Sequence, residues 1–217
     1  MNAIDHLVWA AADLDEGMAA VAQLLGVVPV RGGVHPGGGT RNALVSFGAR
    51  CYLEIIAPDP AQDVRDTPAE WIGRLARPGL VTWAAGVRNL ERLLPKARQL
   101  GIRTSGVLAM SRKTVAGETL RWEVLRLSRH GLGPVIPFFI DWLDSPHPSA
   151  GLDAVCSFKG LSVSHPKAED VRRIFEAFEI DAELAANALV SISARIACPK
   201  GEVTLAPAEP LPPAWRD

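Results

Sequence analysis

The chain has 217 residues, of which 48% are hydrophobic and 22% charged, the composition of an ordinary globular protein with a sizeable core. Its 23 Lys and Arg residues nearly balance its 24 Asp and Glu residues, so the net charge is -1. This balance excludes the basic surface that binding to nucleic acid or to an anionic membrane requires. We therefore expect the partner to be a small molecule.

The cysteines, Cys51, Cys156 and Cys198, are odd in number, lack CxxC spacing and stand among apolar neighbours. Free thiols in a reducing compartment are the simplest interpretation. The N-terminal segment lacks the basic start of a signal peptide, and no apolar run approaches the roughly 18 residues of a membrane-spanning helix. The sequence thus predicts a cytoplasmic protein with no membrane partner.

The first sixty residues predict the element order βαβββ. Residues 4–10 form an apolar run typical of a buried strand. Asp13 then offers an N-cap to an amphipathic helix that Gly26 ends. Three more strands are predicted at residues 27–31, 41–47 and 51–57, with a glycine-rich loop after the first of them and a tight turn at Gly48 and Ala49.

The same order returns further along the chain and indicates an internal repeat. The second unit is predicted as a strand at 80–87, a helix at 90–100 that ends at Gly101, and strands at 103–110, 118–128 and 135–142. A connector with a short helix around 69–75 precedes it. A partial third βαββ unit follows, with a strand at 160–164, a helix at 168–178 and strands at 194–198 and 202–206.

These elements predict the domain organisation of the chain. Residues 1–148 form a domain of two modules, at about 3–58 and 80–145. Residues 149–206 form the partial third module, which we expect to pack on that domain. Residues 207–217 are a proline-rich tail.

Four segments carry a resemblance to a known family: IDHLVWAAADLDEG at the start, HPGGGTRNALV, CYLEIIAPD in the fourth strand, and PFFIDW before Leu143. With the two βαβββ units, they resemble the vicinal oxygen chelate superfamily, and more closely its glyoxalase-like branch. The resemblance implies an α+β fold in which paired βαβββ modules form a cup of the glyoxalase and bleomycin-resistance type. It also implies a divalent metal on the floor of the cup, held by the first and fourth strands of both units.

Carried over by position, the resemblance implies that His6 in the first strand and Glu54 in the fourth are metal ligands. A carboxylate among apolar neighbours is costly to bury unless it is paired or metal-bound. In the second unit Thr82 takes the place of His6, and Asp141 takes the place of Glu54. Because a neutral hydroxyl is a poor ligand, the implied set is His6, Glu54 and Asp141, with Mn, Fe, Zn or Ni as the metal, or no metal.

The glycine-rich segment GGVHPGGGTRN predicts both a loop and a set of substrate contacts. His35 is the candidate general acid or base, and Arg41 is the candidate cation for the tail of the substrate. Asn42, Tyr52 and Thr82 are the candidate substrate-binding residues.

Structural interpretations of these residues stay open. His6 fits a hydrogen-bonded core histidine, and His35 fits a residue that supports a glycine turn. Asp141 fits a cap on the turn towards Leu143 and Asp144.

The chemistry that the resemblance implies is metal stabilisation of an enediolate or oxyanion on a small oxygen-bearing substrate, as in lyases, isomerases and dioxygenases. One alternative is a metal-free protein that sequesters a small molecule, as bleomycin-resistance proteins do, and Thr82 favours it. Another is a scaffold whose third module packs on the cup or on a second copy of the chain, which predicts a homodimer.

Overall fold

A computed structural model describes residues 2–48, 50–114 and 117–211 of the chain. Ala49, in the predicted tight turn, and residues 212–217 of the predicted tail lie outside the described residues. The strands are β1 (Ala3–Ala10), β2 (Val30–His35), β3 (Thr40–Ser46), β4 (Tyr52–Pro58), β5 (Gly79–Gly86), β6 (Arg103–Thr104), β7 (Leu108–Lys113), β8 (Thr119–Leu125), β9 (Leu127–Ser128), β10 (Phe138–Asp141), β11 (Ser157–His165), β12 (Glu183–Ala186), β13 (Ser191–Cys198) and β14 (Gly201–Leu205). The α-helices are α1 (Leu14–Leu25), α2 (Pro68–Ile72), α3 (Leu94–Gln99) and α4 (Ala168–Ala177), and short 3-10 helices lie at Leu90–Leu93, Gly133–Val135 and Pro148–Gly151.

Helix α1 shows how closely local sequence sets the element boundaries. The carboxylate of Asp13 accepts hydrogen bonds from the backbone of Asp15 and Glu16, and Gly26 ends the helix in the left-handed region at φ 72°. The predicted second helix is less regular. Its first turn is a 3-10 helix, and the α-helical part begins only at Leu94, where Pro95 occupies the first turn.

The main sheet contains two units that repeat the same strand order. Its strands run β2-β3-β4-β1-β5-β10-β8-β7 among the described residues, so each unit has its second, third and fourth strands followed by its first. The two first strands, β1 and β5, pair antiparallel at the centre, whereas β4 and β10 lie parallel to them. The resulting sheet is curled and nearly closed, and the predicted α+β cup of paired βαβββ modules is confirmed.

The two edge strands of the curled sheet approach each other where β2 meets β7. The Arg112 guanidinium donates a hydrogen bond to the carbonyl oxygen of Gly32 across a distance of 3.2 Å. A Cβ atom on Gly33 would lie 2.7 Å from the carbonyl oxygen of Lys113, so this approach requires glycine.

The position of β2 corrects the sequence-based boundaries. The predicted strand at 27–31 is observed at Val30–His35, so the first glycines of the glycine-rich segment belong to a strand. The loop is confined to residues 36–39, where Gly37 and Gly39 adopt φ values of 73° and 69°. In the sequence, Gly32 and Gly33 look like part of a turn. In the structure they lie in β2, where the lack of a side chain lets β2 approach β7 closely.

Further boundaries in the second and third units also differ from those predicted. The predicted strand at 103–110 is broken into β6 and β7, and the predicted strand at 118–128 into β8 and β9. Strands β6 and β9 pair with each other in a separate ribbon. The third unit contains β12, which the sequence pattern omits because that strand is short and mostly exposed.

The third unit packs against the convex side of the second unit. Its sheet runs β12-β11-β13-β14 within the described residues, with the first strand in the interior. Phe175 and Phe178 of the α4 region contact Trp83 and Phe139, with ring centroids 6.0 Å and 5.1 Å apart. These buried aromatic contacts make the third unit part of the same hydrophobic core.

The chain after β14 returns to the start of β5. The backbone of Leu80 donates to Ala206 and accepts from Ala208, both at 2.9 Å, and Arg77 pairs with Glu209. Strand β10 pairs with β5 only from Ala84 onward, so this segment covers the part of β5 that β10 leaves open. Across the described residues, no helix combines the length and apolarity needed to cross a membrane.

Gly79 provides a test of this docking. A Cβ atom there would clash with backbone atoms of Pro207 and Ala208, including the Pro207 carbonyl oxygen at 2.6 Å, whereas a Cβ on Gly151 meets nothing within 4 Å. We expect Gly79→Ala to lower the free energy of unfolding by about 1–3 kcal/mol, and Gly151→Ala to leave it nearly unchanged. Urea unfolding of both variants checks this, and equal stability would contradict the docking of residues 206–209 on β5.

Candidate functional site

A cavity of about 470 Å³ occupies the concave face of the main sheet, which we call the cup. Its floor comes from β1, β4, β5 and β10, whose side chains alternate between the cup and the convex core. Most of the lining is apolar, and both units contribute polar residues to it. The polar lining residues of the first unit are His6, His35, Thr40, Asn42, Tyr52 and Glu54, and those of the second unit include Thr82, Arg112 and Arg126.

Glu54 is the carboxylate on the cup floor, with 8% of its surface exposed. The side-chain amide of Asn42 donates a hydrogen bond of 2.6 Å to its Oε1 atom. The other oxygen, Oε2, lies 3.8 Å from Nε2 of His6. Glu54 is thus held by one oxygen and presents the other towards His6.

His6 is positioned by the buried carboxylate of Asp5, whose Oδ1 atom lies 2.7 Å from Nδ1 of His6. Burial alone would raise the pKa of Asp5, but hydrogen bonds from His147 and His6 and electrostatic interaction with the two rings lower it overall. An ionised carboxylate only accepts, so Nδ1 of His6 carries the proton of this hydrogen bond. In the neutral imidazole, Nε2 then has a free lone pair directed towards Glu54.

The position of Asp5 depends on an irregularity in β1. The pairing of β1 with β5 skips Asp5, because Ile4 lies opposite Ala85 and His6 opposite Ala84. Such a bulge re-aims the side chain of the extra residue. The Asp5 carboxylate also accepts from the Trp142 indole at 3.1 Å and lies 3.3 Å from Nε2 of His147.

His35 lies at the edge of the cup, beside Asn42. Its Nδ1 is 2.8 Å from the hydroxyl of Thr40, and its Nε2 is 3.4 Å from the Asn42 amide nitrogen and 3.6 Å from Glu54 Oε1. Burial lowers the pKa of His35, although the charge of Glu54 opposes that shift. A neutral His35 therefore supports the amide that holds Glu54.

Tyr52 and Thr82, two predicted substrate contacts, both line the cup. The Tyr52 ring stacks on His6 with centroids 4.7 Å apart, and burial raises the pKa of its hydroxyl well above the usual value. Thr82 lies opposite Val8, which is the neighbour of Glu54 on the other side. Both residues thus border the pair formed by His6 and Glu54.

The structure separates two of the predicted site residues from the cup. Nη2 of Arg41 lies 3.6 Å from the Asp13 carboxylate, and Arg41 does not line the cavity. Asp141 accepts from the backbone of Asn89 at 2.7 Å and of Leu143 at 2.9 Å. Strand alternation in β10 sends Phe138 and Ile140 into the cup, which leaves Asp141 outside it, in the position of a turn cap.

The sequence analysis missed Arg112 and Arg126, which line the cup, and Asp5, which holds His6. Asp5 is hidden by the bulge, because strict alternation would place it on the face opposite to His6. Arg126 could have been found, since Trp122, Val124 and Arg126 follow one another with the period of a strand and all line the cavity.

The curled sheet of two βαβββ units, with its polar site on a concave floor, defines a protein of the vicinal oxygen chelate superfamily. The family model described as "Glyoxalase-like domain" matches residues 4–178. The chain therefore belongs to this glyoxalase-like family, and the predicted resemblance is confirmed.

Several solved structures are similar to this chain at low sequence identity. A hypothetical protein from Staphylococcus aureus has a TM-score of 0.67 and 16% identity, over 93% of this chain and 83% of that chain. A hypothetical protein from Bacillus halodurans has a TM-score of 0.50 and 16% identity, over 67% and 97%. Methylmalonyl-CoA epimerase from Mycobacterium tuberculosis has a TM-score of 0.47 and 23% identity, over 64% and 86%. No curated protein matches the chain.

The placement of Asp141 can be tested by stability. Asp141→Ala removes a 5% exposed carboxylate that satisfies two backbone N–H groups. We expect it to lower the free energy of unfolding by about 2 kcal/mol, whereas the exposed Asp144 should tolerate alanine within about 0.5 kcal/mol. Guanidinium unfolding measures both variants. Equal stability of the two variants would contradict the capping role of Asp141.

Proposed function

We propose that the chain is a glyoxalase-like enzyme that moves a proton on a small oxygen-bearing substrate bound in the cup. The observation that carries this proposal is the pair formed by Glu54 Oε2 and His6 Nε2, 3.8 Å apart on the cup floor. In the neutral imidazole both atoms are acceptors, so a group that contacts both of them must supply a proton or a positive charge. An acidic C–H or hydroxyl group of a substrate meets this need.

The surrounding residues prepare the pair for proton transfer. Asp5 fixes the tautomer and orientation of His6, and Asn42 fixes one oxygen of Glu54. Tyr52 covers one face of the His6 ring and Phe138 approaches it edge-on, with centroids 4.7 Å and 5.4 Å away. Groups held this firmly need little reorganisation when the proton moves.

In this proposal Glu54 takes the proton from the substrate, and His6 shares it and returns it. His35 acts through Asn42 as a positioning residue, and Thr82 offers its hydroxyl to an oxygen of the substrate. The predicted acid or base role thus moves from His35 to Glu54, which is buried and faces the cavity directly. Arg41, which pairs with Asp13, has no role in the proposed step.

A divalent metal is the cofactor that the superfamily implies, and the donors of the cup supply part of a site for it. His6 Nε2 and Glu54 Oε2 face each other with their lone pairs. The described residues, however, contain no group of three or more His, Cys, Asp or Glu side chains able to hold a metal ion. Catalytic metal sites commonly use three protein ligands, so this donor set does not fit a complete site, and no step above depends on a metal.

A second candidate function is the metal-free sequestration of a small molecule. The wall contributed by the second unit favours it, because Met110, Trp122, Val124 and Ile140 form a continuous apolar surface that suits a flat ligand. A sequestering protein binds its ligand unchanged, whereas the proposed enzyme exchanges a proton with it. The two functions can therefore be distinguished by measuring whether the protein exchanges a proton with its ligand.

Hydrogen exchange tests the proposed function directly. Wild-type protein is incubated in D₂O with a panel of small 2-oxo and 2-hydroxy acids and their neutral amides, and proton NMR follows loss of the C–H signal next to the carbonyl. We expect exchange in at least one compound, and we expect Glu54→Gln and His6→Gln each to slow it about 100-fold or more. Glu123→Gln, on the opposite face of β8, should leave it unchanged.

Several outcomes separate the alternatives. Exchange that persists in Glu54→Gln would contradict the role of that carboxylate. Binding without exchange across the panel would favour sequestration. Metal analysis of protein purified without chelator, compared with a His6→Ala and Glu54→Ala double variant, tests the metal: a divalent ion bound by wild type and lost in the variant would show that His6 and Glu54 hold a metal ion.

A further inference from the structure

The charged residues that line the cup leave it with an excess of positive charge. Glu54 is the carboxylate of the lining, and Arg112 and Arg126 are its guanidinium groups. The partners of Glu54 are His6, His35 and Asn42. Among the described residues, neither arginine forms a salt bridge with any carboxylate. The cavity therefore complements an anion better than a neutral molecule.

Arg112 is the more unusual of the two arginines, because only 5% of its surface is exposed. Its Nη1 atom donates to the Gly32 carbonyl at 3.2 Å, and within the described residues its other guanidinium nitrogens have no hydrogen-bond partner. An arginine stays charged and carries five N–H donors. A buried charge without a counterion costs free energy, which a bound anion would offset.

Gly33 leaves the space that the Arg112 guanidinium occupies. A Cβ atom on Gly33 would lie 2.9 Å from Nη1 of Arg112 and 3.6 Å from its Cδ atom, so a larger residue at position 33 would displace the side chain. Alternation along β7 directs Met110 and Arg112 into the cup together. Glycine on one strand and arginine on the facing strand thus form a built recess at the seam of the sheet.

Arg126 lies at the opposite end of the apolar wall. Its Cζ atom is 5.5 Å from the centre of the Phe138 ring, and Phe138 in turn contacts His6. The side chain is exposed, as expected for a group at the cavity mouth. A cation at this place attracts anions towards the cup without holding them in a fixed position.

We propose that the substrate or ligand of the cup is a small monocarboxylate whose carboxylate group binds Arg112, with its apolar part against Trp122 and Ile140. The buried guanidinium of Arg112 matches a single negative charge, and its planar donors match a carboxylate in a bidentate arrangement. This inference rests on the proposed function only in taking the cup as the binding site. It assigns to Arg112 the anion-binding role that the sequence assigned to Arg41.

Isothermal titration calorimetry with phenylacetate and phenylacetamide tests the proposal, because these probes have nearly the same shape and differ in charge. We expect wild-type protein to bind phenylacetate at least about tenfold more tightly than phenylacetamide. Arg112→Gln should abolish this preference, and Arg112→Lys, which keeps the charge but loses the bidentate geometry, should keep part of it. Arg121→Gln, an exposed arginine on the other face of β8, is the matched control and should keep all of it.

Folding and catalysis are separated from binding by two further measurements. The affinity for phenylacetamide and the thermal midpoint show whether the Arg112→Gln variant is folded. If that variant is not folded, the preference of Arg112→Lys for phenylacetate over phenylacetamide decides the proposal. Glu54→Gln should keep the carboxylate preference while hydrogen exchange falls, so a failure of the proposed chemistry is distinguishable from a failure of this inference. Equal affinity for both probes in wild type, undetectable binding of phenylacetate, or an unchanged preference in both Arg112 variants would overturn it.

Discussion

The antiparallel pairing of β1 with β5 is the constraint on which the rest of the structure depends. It joins the two units at the centre of the sheet, where Leu7 lies opposite Trp83 and both are fully buried. Because side chains alternate along a strand, this pair fixes the convex face, and Val8 and Thr82 face the cup beside it. A slip of one residue would move the core side chains of one of these strands to the cup face.

The two units share a strand order but contribute different kinds of side chains to the cup. The first unit supplies His6, Asn42 and Glu54, whereas the second supplies the apolar wall and the arginines. The register of β10 explains part of this asymmetry, since it directs Phe138 and Ile140 into the cup and leaves Asp141 outside it. One half of the cup thus carries the groups of the proposed proton transfer, and the other half forms most of the apolar wall in front of them.

The sequence contains most of the fold because its signals are local. The N-cap at Asp13, the glycine at Gly26 and the apolar runs of β1 and β5 predict the repeat, and Glu54 is conspicuous as a carboxylate in an apolar strand. Contacts between strands that are distant along the chain cannot be predicted from such local signals. Gly33 is required by the approach of Lys113 and Arg112, 79 and more residues away along the chain, and no local pattern distinguishes such a glycine from one in a turn.

The bulge at Asp5 shows how one local irregularity gives the site its chemistry. A regular strand would turn Asp5 away from His6, and the imidazole would lose the carboxylate that fixes its tautomer. Gly86 accommodates the displaced residue, since a Cβ atom there would lie 3.2 Å from the Asp5 carboxylate. The same carboxylate accepts from the Trp142 indole and lies close to His147, so it connects the cup floor to the segment after β10. A buried carboxylate with several donors is stable as an anion, so Asp5 accepts the hydrogen bond of His6 Nδ1 and leaves Nε2 on the side of Glu54.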